Sequence, residues 1–365
     1  MARPRLRDDL ALVEGYHSAQ VDVAVRLNTN EAPEPPPAGF TEALLTAARG
    51  VAWHRYPDRS ATALRARIAE LESTSTRRFS APQVLAANGS NEVLQSLSLA
   101  YGGAGRVALT FEPTYALHAH IARVCGTRVV EVDRRDDFTL DVDAAVTEIE
   151  RERPSLVFLC SPNNPTGRVE EPAAVAALAD AAESVDGLLV VDEAYGQFAD
   201  WSALDLVAED RSVVVTRTFS KTWSAAALRL GYLVGPTWLV DDVEQVVLPY
   251  HLDALTQLAG SVALDFEADM RARVDGIVAE RERLVAGLAA LGVTQWPSGA
   301  NFVLFRPAAP DAEAGTRVWQ GLVDRSVLVR DCSSWPRLAG CLRVTVGTPE
   351  ENDAFLAALG EVRPA

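Results

Sequence analysis

The sequence predicts an α/β fold: a mainly parallel sheet covered by helices, followed by a smaller α+β unit and preceded by an irregular arm. Three observations carry that expectation. Between about residues 40 and 250, helical patterns alternate with short apolar runs, as in a parallel sheet whose crossovers are helices. Those runs are Val84–Ala87, Arg106–Phe111, Arg128–Val132, Leu156–Cys160, Leu188–Val191 and Val213–Thr216. Most are apolar at consecutive positions, the pattern of strands covered on both faces. After residue 250 the alternation stops, and long helical patterns give way to three further strands.

In chain order, residues 1–40 form the arm. Its stretch Glu31-Ala-Pro-Glu-Pro-Pro-Pro37 cannot be helical throughout, so the arm is expected to lie across something. Residues 41–250 hold the sheet. Residues 251–365 form the smaller unit, with helices over about 253–291, strands at Asn301–Phe305, Val327–Val329 and Leu342–Val346, and a closing helix from about Pro349 to Leu359. No apolar stretch follows the N-terminal arginines and no later run approaches a membrane span, so a soluble, cytoplasmic protein is expected.

The net charge of −16 excludes a nucleic-acid polyanion as partner, because no basic stripe is available for phosphates. Cys125, Cys160, Cys332 and Cys341 lack metal or disulfide spacing and read as reduced. His118 and His120, two apart on a helix, point away from one another and suit a solvated or packing role. Of 34 basic side chains, Lys221 alone is lysine. An Arg-rich chain that keeps one lysine needs something guanidinium lacks there: an amine can lose its proton, attack an aldehyde and form an imine.

Ligands of open α/β sheets bind beyond the carboxyl ends of the strands, and the chemically distinctive residues fall there. Asp192 ends an apolar strand, where a carboxylate is costly unless paired. It could cap a helix; it could also hold a protonated pyridine nitrogen, with the phenol of Tyr195 reaching an oxygen on the same ring. Ser161-Pro-Asn-Asn-Pro-Thr-Gly167 spells a turn, yet after a buried strand it also pins Asn164 as a fixed donor. Gly89-Ser-Asn-Glu92 opens a helix, whose start at Ser90 and Asn91 is a ready phosphate site. Thr218, Ser220 and Arg229 would complete that cradle.

The ordered motifs N-G-S-N-E, P-T-Y, S-P-N-N-P-T-G, D-E-A-Y, S-K and R-V-T-V-G-T resemble the class I/II aminotransferases of pyridoxal-phosphate (PLP) fold type I. Nearly the whole chain takes part. Within that family the pattern is most similar to the histidinol-phosphate branch, through Gly15-Tyr-His-Ser-Ala, Leu27-Asn-Thr-Asn-Glu-Ala-Pro33, Arg55-Tyr-Pro-Asp58 and Leu328-Val-Arg-Asp331. The resemblance implies a PLP-binding part with a seven-stranded sheet. It implies Lys221 as the lysine of the covalent imine, Asp192 as the partner of the ring nitrogen, and Tyr195 with Asn164 at the ring oxygen. Tyr115 would stack on the ring; Ser90, Asn91, Thr218, Ser220 and Arg229 would hold the phosphate. Tyr56 would reach the cofactor of a second subunit, so a homodimer is implied. Arg343 would hold a carboxylate, and Arg330, Tyr16 and Asn164 would contact the substrate.

The expected reaction moves an amino group between L-histidinol phosphate and 2-oxoglutarate. Around the substrate the chain departs from the branch, with Gly15 before Tyr16, His17 after it, and N-E-A-P in the arm. An aromatic amino-acid aminotransferase, a threonine-phosphate decarboxylase-like enzyme and a non-catalytic effector-binding protein stand as alternatives.

Overall fold

The computed structural model describes residues 4–5, 7, 10, 21–74, 76–307 and 310–362. In chain order, the first half contains β1 (Val25–Leu27), α1 (Ala38–Ala48), α2 (Thr62–Glu72), β2 (Val84–Ala87), α3 (Ser90–Tyr101), β3 (Val107–Glu112), α4 (Leu117–Val124), β4 (Arg128–Asp133), α5 (Val142–Glu152), β5 (Leu156–Cys160) and α6 (Pro172–Ser184). The second half contains β6 (Leu188–Asp192), β7 (Val213–Thr218), β8 (Gly231–Val234), α7 (Thr237–Glu244), α8 (Ala254–Ala263), α9 (Glu267–Ala290), β9 (Thr294–Gln295), β10 (Phe302–Arg306), α10 (Ala312–Val323), β11 (Val327–Asp331), β12 (Leu342–Thr345) and α11 (Pro349–Val362).

Seven strands form one sheet in the order β2-β8-β7-β6-β5-β3-β4. All neighbours are parallel except β8, which runs antiparallel to β2 and β7. Alternation along the central strands divides two cores. Val157, Leu159, Leu189, Val191, Val213 and Val215 join the apolar cluster on one face, while Leu156, Phe158, Leu188, Val190 and Val214 join that on the other. A strand covered on both faces must be apolar at every position, which is why these runs were legible.

β8 lies outside the expected runs. Gly231-Tyr-Leu-Val is only four residues long and opens on glycine, which pattern reasoning scores against a strand. The glycine is required by packing: a Cβ at Gly231 would sit 2.2 Å from the backbone nitrogen of Ser90.

Five strands form a second sheet in the order β1-β11-β12-β10-β9, around its own core that includes Phe302, Phe305, Val327, Val344 and Phe355. The arm does more than lie across a surface. Its β1 pairs in parallel with β11, Val25 opposite Val327 and Leu27 opposite Val329. That register delivers Asn28, Thr29 and Asn30 to the space between the two sheets.

Candidate active site

Beyond the carboxyl ends of β2, β3, β5, β6 and β7 the chain encloses a cavity of about 460 Å³. Eleven of the predicted residues line it: Ser90, Asn91, Tyr115, Asn164, Asp192, Tyr195, Thr218, Ser220, Lys221, Arg229 and Arg343. A wider cleft of about 1230 Å³ contains none of them. Its buried Arg217 is already neutralised by Glu72 and Glu193, so volume does not locate the chemistry here.

Lys221 lies just past β7, half-buried, with its Nζ donating to the backbone oxygen of Thr29 at 3.1 Å. Burial of the amine, then the positive charges of Arg343 and Arg229, pull its pKa down to about 7; Glu31 opposes them. An amine so placed loses its proton near neutrality and becomes a nucleophile and base.

Asp192 closes β6 with 2% of its surface exposed. One carboxylate oxygen accepts from Ala194 N (3.1 Å) and Thr216 Oγ1 (3.2 Å), and the other contacts His118 Nε2 at 2.9 Å. His118 is fully buried, stacked on Phe158 at 5.3 Å and edge-on to Tyr115. Of the solvated or packing role expected for His118, the packing half holds, and the bond to Asp192 goes beyond it. Residues two apart on α4 do diverge, but that sends His118 inward while His120 stays half-buried. The turn that leads into α4 brings the two rings together, with His118 N donating to the backbone oxygen of Tyr115 at 3.0 Å.

Tyr195 is buried, and that burial pushes its phenol pKa upward, so the hydroxyl keeps its proton. Asn164 accepts from Arg343 through its Oδ1, leaving its amide nitrogen as a donor. At the opposite end, α3 begins at Ser90, where first-turn amides lack intrahelical partners. Thr218 Oγ1 and Ser220 Oγ lie 3.0 Å apart, and Arg229 reaches over them towards Ser220. Gly89 makes room: its φ is +80° and a Cβ there would meet Arg229 Nη2 at 2.8 Å. Main-chain amides, hydroxyls and a guanidinium thus converge at one end, a carboxylate stands in the middle, and an amine lies beside them. That donor set fits a phosphate-bearing pyridine aldehyde.

Arg343 is 5% exposed. The other buried arginines, Arg65, Arg134, Arg217 and Arg281, each have a carboxylate. Arg343 has none among the described residues: it bonds Asn164 and the backbone oxygen of Asn28, and its Nε has no hydrogen-bond partner. A buried cation without a counter-charge is costly, and here it faces a cavity able to admit an anion.

Two predicted residues lie elsewhere. Arg330 does not line the cavity; it is half-buried with its guanidinium 5.1 Å from the Trp335 ring. It does stand directly opposite Arg343 across the antiparallel β11–β12 pair, so both point to the same face. Tyr56 is 80% exposed and stacked on Tyr250, away from this cavity. Tyr16 lies outside the described residues. Sequence reasoning passed over Thr29, Asn30 and Cys160, which also line the cavity. The Cys160 thiol is pushed up by burial and stays protonated.

Comparison with known proteins gives a consistent set of relatives. The family described as aminotransferase class I and II matches residues 22–359. A histidinol-phosphate aminotransferase of Frankia casuarinae is 47% identical over 97% of this chain and 89% of the relative. One of Streptomyces avermitilis is 46% identical over 98% and 96%. Among solved structures, the histidinol-phosphate aminotransferase of Sinorhizobium meliloti in complex with pyridoxal-5'-phosphate superposes with a TM-score of 0.88 at 25% identity, covering 99% of this chain and 98% of that one.

Proposed function

The chain belongs to the class I and II aminotransferases, and from that premise we propose that it transfers the amino group of L-histidinol phosphate to 2-oxoglutarate with pyridoxal 5'-phosphate as cofactor. One observation carries the substrate. Two arginines face one another across β11 and β12, one of them buried with no carboxylate among the described residues. Like charges directly opposite repel, and a bound anion relieves the buried Arg343. The donor brings a phosphate and the acceptor brings carboxylates, so one pair of guanidiniums serves both halves of the reaction. The relatives named as histidinol-phosphate aminotransferases support the same reading.

When bound, the cofactor supplies an electron-poor ring that takes up the electron pair freed at the substrate carbon. The chain does the rest. The α3 amides at Ser90 and Asn91, with Thr218, Ser220 and Arg229, hold the phosphate. Asp192 keeps a proton on the ring nitrogen, and its bond to His118 keeps the carboxylate aimed. Tyr195 and Asn164 donate to the ring oxygen, and Tyr115 covers the ring. Lys221, deprotonating near pH 7, carries the proton between the substrate carbon and the carbon that receives the nitrogen. Arg343 orients the acceptor carboxylate, and Arg330 adds the second positive charge for phosphate.

The same reading gives Tyr56 its use. Exposed and stacked on the exposed Tyr250, it is suited to cover by a second copy in whose site Tyr56 touches the phosphate. It also divides the chain into an arm (1–40), a cofactor-binding part (41–250) and a smaller part (251–365), acting on small molecules in the cytoplasm. Among the described residues no helix is long and apolar enough to cross a membrane.

The test offers histidinol phosphate and phenylalanine separately with 2-oxoglutarate. A higher kcat/KM for histidinol phosphate is expected. A preference for phenylalanine overturns the substrate, and a protein that stays colourless with pyridoxal phosphate overturns the chemistry.

A further inference from the structure

Three consecutive residues of the arm each touch a different part of the site. The oxygen of Asn28 accepts from Arg343 Nη2 at 3.0 Å, the oxygen of Thr29 accepts from Lys221 Nζ at 3.1 Å, and Asn30 Nδ2 donates to Tyr195 Oη at 2.9 Å. Asn30 is 1% exposed and has φ of 54°, a left-handed conformation that asparagine tolerates better than most residues. Its backbone oxygen accepts from Asn301 Nδ2, which anchors it to the strand-β10 end of the smaller sheet.

The direction of the Asn30–Tyr195 bond follows from its neighbours. The backbone N–H of Asn30 can only donate, and it donates to Thr345 Oγ1 at 3.0 Å. The Thr345 hydroxyl in turn donates its own proton to Asn30 Oδ1, 3.1 Å away. With Oδ1 committed as acceptor, the other end of the amide is NH₂, a donor. Tyr195 Oη therefore accepts from Asn30, and its own proton points elsewhere. Tyr195 lines the cavity.

We propose that Asn30 is a positioning residue: through Thr345 it fixes the polarity of the Tyr195 hydroxyl, so that the phenol donates into the cavity. This rests on the reading above, in which Tyr195 meets the cofactor's ring oxygen. An acceptor at position 30 would turn that proton around.

Asn30→Asp keeps the shape and replaces the donor by an acceptor. The readout is the pH midpoint of the visible absorbance of the protein loaded with pyridoxal phosphate, measured with Tyr and with Phe at position 195. In the Asn30 protein, Tyr195→Phe is expected to raise the midpoint by about one pH unit, because a donor to the ring oxygen is lost. In Asn30→Asp it is expected to change little, because the proton has already turned away. The added charge is present in both members of that second pair and cancels. Equal shifts in the two backgrounds, or no shift in the Asn30 protein, overturn the proposal. Should Asn30→Asp not fold, Thr345→Val frees the amide to flip, and the effect of Tyr195→Phe should shrink there; an undiminished effect overturns the proposal as well. Wild-type protein without visible absorbance would sink the cofactor reading itself, and this inference with it.

Discussion

His118 Nε2 stands 2.9 Å from Asp192 Oδ2, with both side chains sealed from solvent and the imidazole stacked flat on Phe158. The carboxylate that closes β6 is thus braced from behind by a ring whose only polar contact is that carboxylate among the described residues. His118→Phe would keep the stacking and delete the bond. A hydrogen bond to a charged group is worth roughly 1.5–3 kcal/mol, so kcat/KM should fall on the order of tenfold to a hundredfold. A change under about threefold in steady-state transamination would mean that Thr216 and Ala194 alone hold Asp192 in place.

Lys221 titrates near 7 in the folded chain, below its ordinary 10.5. Between those values the unfolded state binds the extra proton, so folding becomes more favourable as pH rises through that window. The penalty for burying the ammonium is complete below about pH 7 and gone above about 10.5. In the cofactor-free protein, the difference in Tm between wild type and Lys221→Met should therefore shrink steadily from pH 7 to 10.5. Parallel melting curves at every pH would place the amine's pKa at its ordinary value. Lys221→Arg keeps the charge and should lose covalent cofactor attachment with nearly all activity, read by mass after borohydride reduction.

Two buried arginines should respond oppositely to removal. Arg217 is held between Glu72 and Glu193, and Arg217→Met strands both acids in the core. Breaking such a cluster costs about 3–5 kcal/mol, so a fall in Tm of many degrees is expected. Arg343 has no acid beside it among the described residues, and Arg343→Leu should leave the Tm of the cofactor-free protein unchanged or higher while activity with glutamate collapses. A large loss of stability in Arg343→Leu would show that its bonds to Asn164 and Asn28 outweigh the buried charge.

If Arg330 grips the donor's phosphate, Arg330→Ala should reduce kcat/KM for histidinol phosphate at least tenfold more than for phenylalanine, since each charge-assisted bond lost costs about 1.5–3 kcal/mol. Equal losses for the two donors would reassign Arg330 to holding strand β11 and its Trp335 contact.

What was legible in the sequence follows from burial. The central strands could be read because both faces are covered and every position is apolar. Asp192, Asn164 and Lys221 were legible because each is a polar residue at the end of such a run. β8 was hidden because its glycine answers to the backbone of Ser90, 141 residues nearer the N-terminus by numbering, and local patterns carry no such information. His118 and Asn30 were hidden for the same reason: their meaning lies in partners, Asp192 and Tyr195, that only the fold brings near. The arm was read as irregular, and its three strand residues are too few for a period-two signal.

Tyr56 offers the sharpest test of assembly, because it lies outside the cavity of its own chain and 80% exposed, making an aromatic patch with the exposed Tyr250 on which it stacks. If a second copy covers that patch, each site combines Lys221 of one subunit with Tyr56 of the other. Tyr56→Ala and Lys221→Ala proteins should then both be impaired when pure. Mixed under conditions that exchange subunits, they form heterodimers in which one site has lost both residues and the other has kept both. Random exchange makes about half the dimers mixed, with one intact site each, so about a quarter of wild-type activity should return. Activity in the mixture no higher than the mean of the two pure variants, with exchange verified by native mass spectrometry, would confine Tyr56 to its stacking on Tyr250.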